Sequence, residues 1–239
     1  MIDDEPSDMG DANDDQAQPR RTSRRDVLRT AAAGAALTAG GIVLPSAAAA
    51  TSGPGSPTAK GATAFGFVGR IDQDGSEFRG YAYLTEVAGV PDEALFDGQI
   101  DRSEEVAQLT IAGDVTLERR SILGNVFVLD AVGSLAIHLL DTPGADFADP
   151  ASFTAGAVVA RYSAKLHDVL TVIGPNEGIP TLSGELDQTT AANFTLAGKR
   201  YRIGSRDTRL ILDGTGHGVR TDPDAPRSNI DLAATVTFA

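Results

Sequence analysis

Two groups of residues hold most of the chemistry this chain could offer: three histidines, His138, His167 and His217, and the cationic run KRYRIGSRDTR at 199–209. A three-histidine metal centre needs its imidazoles to converge on one point. No pair here has ligand-like spacing. His138 sits among alternating Leu135, Ile137 and Leu139, on the face it shares with Ala136 and Leu140. Solvated or loop-bonded roles are expected for the histidines, and no metal site. The cationic run gathers Lys199, Arg200, Arg202, Arg206 and Arg209, with Arg200 and Arg202 on one strand face. Guanidinium forks suit capture of a carboxylate or phosphate. The competing reading, which is favoured, is a solvated outer face paired with acids on neighbouring strands, Glu185 and Asp187 being the candidates.

Other patterns exclude more than they offer. DQDGSE at 72–77 places Asp72, Asp74 and Glu77 as oxygen donors, but a calcium loop runs about twelve residues and ends in an acid. Here the chain turns back into a strand, so a hairpin tip is expected. DGTGHG at 213–218 has the glycines of a phosphate cradle without the helix that must follow one. It reads as a flexible connection. There is no Gly-x-Ser-x-Gly nucleophile elbow. Tryptophan is absent, and no carboxylate pair stands out for glycoside hydrolysis. Cysteine is absent too, which removes disulfides, thiolate metal sites and a thiol nucleophile. No cofactor is expected.

The elements that must position any site are strands. Phe65, Phe67, Gly69 and Ile71 alternate, Asp74-Gly75 marks a tight turn, and Phe78, Gly80, Ala82 and Leu84 alternate on the return. Arg79, Tyr81 and Tyr83 then take the opposite face. Leu109 to Leu117 alternates, ERRS (118–121) reads as a turn, Ile122 to Ala131 returns, and Leu135 to Leu139 forms a further strand. Residues 153–173 read as an extended pair or one long bent strand. Further strands are expected near 181–188, 193–203, 207–213 and 230–238, with loops at 174–180 and 221–229. No helix-period segment exceeds about two turns. The sum is nine or ten strands at the spacing of sandwiches and barrels. Mid-strand glycines (Gly66, Gly69, Gly80, Gly113, Gly124, Gly184) favour a single antiparallel barrel, since barrels use them to bend strands. A β-sandwich is the alternative. Tyr81, Tyr83, His138, Arg200 and Arg202 are the candidate ligand-binding residues.

Thirty-three acids against 20 bases give a net charge of −13. That surface repels phosphate backbones and weakens any case for anionic lipid heads, so no nucleic-acid partner is expected. Residues 1–19 hold seven acids and little to bury, and read as a disordered tail. Arg20, Arg21, Arg24, Arg25 and Arg29 follow, then the weakly apolar TAAAGAALTAGGIVLPSAAAA. That run lacks the roughly 20 strongly apolar residues of a spanning helix.

Ser23, Arg24, Arg25, Asp26, Val27, Leu28 and Arg29 resemble the Ser/Thr-Arg-Arg-x-Phe-Leu-Lys pattern of twin-arginine (Tat) signal peptides, with Val27 and Arg29 as substitutions. The resemblance covers about residues 20–50. It implies recognition by the Tat translocase, export in the folded state, and cleavage near Ala48-x-Ala50. A secreted or extracytoplasmic protein without a stable membrane anchor is then expected: a Gly/Pro/Ser linker at 51–61, and one barrel domain over 62–239. The mature part is faintly similar to calycin-like and allene oxide cyclase-like barrels. That similarity is architectural and transfers no activity.

A barrel of this kind most simply binds a small, mostly apolar ligand. The alternatives are a cofactor-free isomerase or cyclase, and a structural surface or matrix protein. The interior discriminates them. A wide apolar cavity favours binding, convergent polar groups favour catalysis, and a filled interior favours a structural role.

Overall fold

In the computed structural model, residues 59–222 and 224–239 are described. The twin-arginine motif with Ser23, Arg24, Arg25 and Leu28, the Ala48-x-Ala50 cleavage site and the acidic tail lie outside them. The strands are β1 (Thr63–Asp74), β2 (Glu77–Val87), β3 (Leu109–Leu123), β4 (Val126–Leu139), β5 (Ala157–Gly174), β6 (Glu177–Ala191), β7 (Asn193–Leu196), β8 (Lys199–Arg202), β9 (Arg209–Asp222) and β10 (Arg227–Phe238). One helical turn, α1 (Asp92–Leu95), and a 3-10 turn at Pro150–Thr154 are the helical pieces among the described residues.

Eight strands close into an antiparallel barrel in the order β1-β10-β9-β6-β5-β4-β3-β2. The expected nine or ten strands therefore overcount the barrel: β7 and β8 form a separate hairpin. Sequence spacing cannot tell a barrel stave from an excursion, because both alternate. A sandwich is ruled out by closure, β1 pairing with both β2 and β10.

Three further expectations need correction. ERRS lies inside β3, and the chain turns later at Gly124, whose φ of 60° suits a residue without a Cβ. Of the expected return strand Ile122–Ala131, Ile122 and Leu123 still belong to β3, and Val126–Ala131 runs on through Leu135–Leu139 as one strand, β4. Gly133 does not break it: an added Cβ would collide with the Asp114 carbonyl and the Val115 backbone of β3, so glycine there permits close strand approach. DGTGHG is no loose connection but the middle of β9, where Gly214, Gly216 and Gly218 pair with Ala234, Leu232 and Ile230 of β10.

Register places Phe65, Phe67, Ile71, Leu84, Ile111, Ile137, Leu186, Leu212 and Val236 inward, and charged residues such as Arg79, Asp114, Arg161, Lys165, Asp187 and Asp231 outward. An apolar lumen inside a charged wall is the inverse of a membrane-spanning barrel, which carries its apolar band outside. Among the described residues no helix is long and apolar enough to cross a membrane.

The two ends of the barrel differ. At one end the connections are long: α1 and its flanks between β2 and β3, residues 140–156 between β4 and β5, and the β7–β8 hairpin between β6 and β9. At the other end β1–β2, β3–β4 and β5–β6 are joined by two-residue turns and β9–β10 by a short one.

Candidate functional site

The end with the long connections is packed solid. Phe65, Leu84, Leu109, Ile137, Tyr162, Leu186, Leu210, Leu212 and Val236 are all at most 2% exposed. Leu95 and Phe96 beside α1, and Phe194, Leu196 and Ile203 around the β7–β8 hairpin, extend this core and stopper the lumen. The buried Gln188 side-chain amide ties the hairpin down by donating to the Ile203 carbonyl at 2.7 Å and the Thr190 carbonyl at 3.2 Å.

The end with the tight turns is hollow. A cavity with about 560 Å³ of empty space, including its open mouth, is lined by Ile71 and Phe78 of the first hairpin and Val115, Leu117, Leu129 and Ala131 of the second. Leu166 and Asp168 of β5, Pro180 and Leu182 of β6, Thr215 of β9, and Ile230 and Leu232 of β10 complete it. An eight-stranded barrel is just wide enough to be filled by side chains or to hold one small ligand. This one does each in a different half. Pro180 has no N–H for the ladder, and its carbonyl accepts the Thr215 hydroxyl at 3.1 Å, so that hydroxyl is already used.

Asp168 is the ionisable group of the lining. It stands in line with Tyr162, Ala164 and Leu166 on the inner face of β5, paired with Leu129 of β4 and Leu182 of β6. Its Oδ1 is buried and has no hydrogen-bond partner. Burial pushes the carboxyl up to about 6, although the Thr181 backbone N–H bonded to it and the nearby His167 both pull it down. A carboxylate desolvated in an apolar cleft and left half-satisfied is the kind of group that marks a site rather than a structural pair.

The residues singled out from sequence lie elsewhere. Tyr81 is on the outer face, against Phe147 and Phe153 of the β4–β5 connection, with its hydroxyl donating to Asp72. Tyr83, also outside, meets Phe96 edge-on, and burial raises its phenol above the ordinary value. His138 is buried under the same β4–β5 connection, Nδ1 facing the Gly156 carbonyl at 3.3 Å; desolvation lowers its basicity. Beside it, the Thr110 hydroxyl donates to the Phe153 carbonyl at 2.7 Å. These are anchors for a strap on the barrel wall.

Arg200 and Arg202 are exposed on β8, far along the chain fold from the open end, and the hairpin stacks Lys199 over the Tyr201 ring instead. Glu185 and Asp187 do pair with an arginine of the run, but it is Arg209, whose Nε lies 2.9 Å from Asp187. None of the five candidates lines the cavity.

Asp168 was missed because 33 acids offer no way to rank one above another by type. A signal was present nonetheless. In LHDVL (166–170) an aspartate occupies the parity of Leu166 and Leu170, the apolar face of a strand, where a charge is costly. His167, on the opposite parity, faces outward and bonds Asp130 at 2.8 Å. Among the described residues no cluster of His, Asp and Glu is arranged to hold a metal ion. No family model matches this chain, and neither a curated protein nor a solved structure matches it.

Proposed function

We propose that this protein is an exported carrier that binds one small, mostly apolar molecule in the open half of its barrel. The observation that carries the reading is the contrast within one lumen: half is packed to the density of a core, and half is an open, almost wholly apolar cavity. A structural stave would gain stability by filling both halves. An isomerase or cyclase needs several polar groups converging on the substrate. No other polar side chain of the lining converges on Asp168: Thr215 has the outward parity of Asp213 and His217, and its hydroxyl is bonded to the Pro180 carbonyl. Binding is the activity that an apolar cleft with one polar group supports best.

Export rests on the leader, SRRDVLR at 23–29, and its resemblance to twin-arginine signals. Replacing Arg24 and Arg25 by Lys is expected to leave the precursor inside the cell, and undiminished export would overturn that part of the reading.

For the cavity, native mass spectrometry of the exported protein and of Leu182→Trp is the direct test. The wild type is expected to retain a small molecule, or to take up 1-octanol when empty. Leu182→Trp, with an indole filling the cavity, is expected to do neither. A wild type that is empty and refuses 1-octanol, or a variant that binds as well as the parent, overturns the proposal.

A further inference from the structure

Resting on that reading, we infer that the cavity is built for an apolar amine, whose ammonium group sits against the Asp168 carboxylate while its hydrocarbon part lies along Ile71, Phe78, Leu129 and Ile230. The geometry asks for a hydrogen-bond donor at one point only. Asp168 Oδ1 is buried without a partner, and its neighbours across both strand pairs, Leu129 and Leu182, have nothing to give. The Thr181 N–H serves the carboxyl at one point only; a buried oxygen left without a donor is costly, and a cation from the ligand recovers that cost with a charge-assisted hydrogen bond. An alcohol would satisfy the oxygen but not the charge.

The surrounding charge favours a cation as well. The chain carries −13 in total, and 25 acids against 15 bases remain beyond residue 50. A negative field concentrates cations at a cleft and repels carboxylates.

Asp168 is the one charged residue among those that line the cavity. Leu129 and Ala131 on β4, Pro180 and Leu182 on β6, and Ile71, Phe78 and Ile230 across the lumen are all uncharged. On β5 itself His167 points outward to Asp130. Arg120, which pairs with Leu129 in register, is exposed where β3 and β4 run past the end of β2. It is the cation nearest the mouth by register, and the competing anchor for a ligand carboxylate.

Burial holds the Asp168 carboxyl up to about 6, which adds a pH signature. An alkylamine stays protonated from pH 5 to 8, so its affinity follows ionisation of Asp168 alone. It is expected to rise about tenfold between pH 5 and 7.5, since about a tenth of a carboxyl with that value is ionised at pH 5 and nearly all at 7.5. A neutral ligand has no reason to respond.

The experiment is calorimetric titration of the full barrel with octylammonium, 1-octanol and octanoate, at pH 5 and 7.5, on wild type and Asp168→Asn. At pH 7.5 the amine is expected to bind wild type at least tenfold tighter than the alcohol, and the alcohol tighter than octanoate. Asp168→Asn is expected to reduce the amine's advantage over the alcohol to within about twofold. Should that variant fold poorly, the wild-type pH dependence still decides. If 1-octanol binds and the amine is no better, or if octanoate binds best through Arg120, this inference falls while the apolar cavity stands. If none of the three binds wild type, the cavity reading itself has failed, and this inference with it.

Discussion

The two halves of this barrel are made from the same eight strands, yet one is a packed core and the other holds an open cavity. In the half nearest the long connections, inward positions carry large side chains: Phe65, Leu84, Ile137, Tyr162, Leu186 and Leu212. The excursions after β2 and β6 then lay Phe96, Phe194 and Ile203 over that packing. In the other half the strands reverse in tight turns, so no connecting segment is long enough to fold back over the lumen. Its inward positions are a thin coat of Ile, Leu, Val and Ala, with Phe78 and Pro180, around an aspartate that has one oxygen without a partner. Buried packing is concentrated where the loops are long, and the open cavity lies where they are short. On the proposed reading, that partition reverses the common pattern in which long loops carry the function.

Matched truncations would break or sharpen this comparison most visibly. Leu186→Ala empties a fully buried site in the packed half and is expected to cost about 2–5 kcal/mol. Leu166→Ala, on the same inner wall but facing the cavity and only part-buried, is expected to cost about 1 kcal/mol, because it enlarges space that is already open. Urea unfolding of both measures the difference. Equal costs would mean that the open half is packed as tightly as the other in solution.

A smaller effect is expected from Asp168→Asn. The folded chain holds this proton up to about pH 6, whereas the unfolded carboxyl releases it near its ordinary value of 3.8. Its contribution therefore favours folding below about pH 4 and is lost as pH rises through 6. The asparagine variant should match wild type at pH 3.5. At pH 7.5 it should exceed ligand-free wild type by about 1–2 kcal/mol, after discounting for the group's partial exposure. A gain that is the same at both pH values would show that Asp168 is not the strained group the cavity geometry makes it.

The smallest effect belongs to the outer wall. Arg200→Ala and Arg202→Ala, exposed on β8, are expected to change neither the unfolding midpoint nor 1-octanol uptake. A loss of uptake would move the site to the stoppered end.

Much of the wall was legible before any coordinates. The alternation of Phe65–Ile71 and Phe78–Leu84 around Asp74-Gly75 gives the first hairpin, its turn and both inward faces, because a two-residue period and a turn signal are local properties. Turn placement failed where polar side chains stood in for turn geometry. ERRS is merely the exposed run of a strand that projects past its neighbour, while Gly124, with its positive φ, makes the reversal. DGTGHG misled in the opposite sense. Its glycines lack side chains because the wall of β10 lies against them: a Cβ on Gly214 or Gly216 would press into Ala234 or Leu232. Tyr81, Tyr83 and His138 have chemistry by type, but parity put them outside, where the β4–β5 connection seats on Tyr81 and His138 and Phe96 of the β2–β3 connection meets Tyr83.

By itself the sequence determined the class of this fold: antiparallel strands of known facing, and a strongly acidic composition. Those follow from periodicity, composition and short motifs, each readable within about a dozen residues. Tertiary structure alone decided that eight staves close while two leave the wall, that one end of the lumen holds an open cavity, and that, among the described residues, Asp168 lines it with one carboxyl oxygen unpartnered. Closure and cavity depend on which residues meet across the barrel. That pairing is set by register and by the long connections, and neither leaves a local mark on the chain.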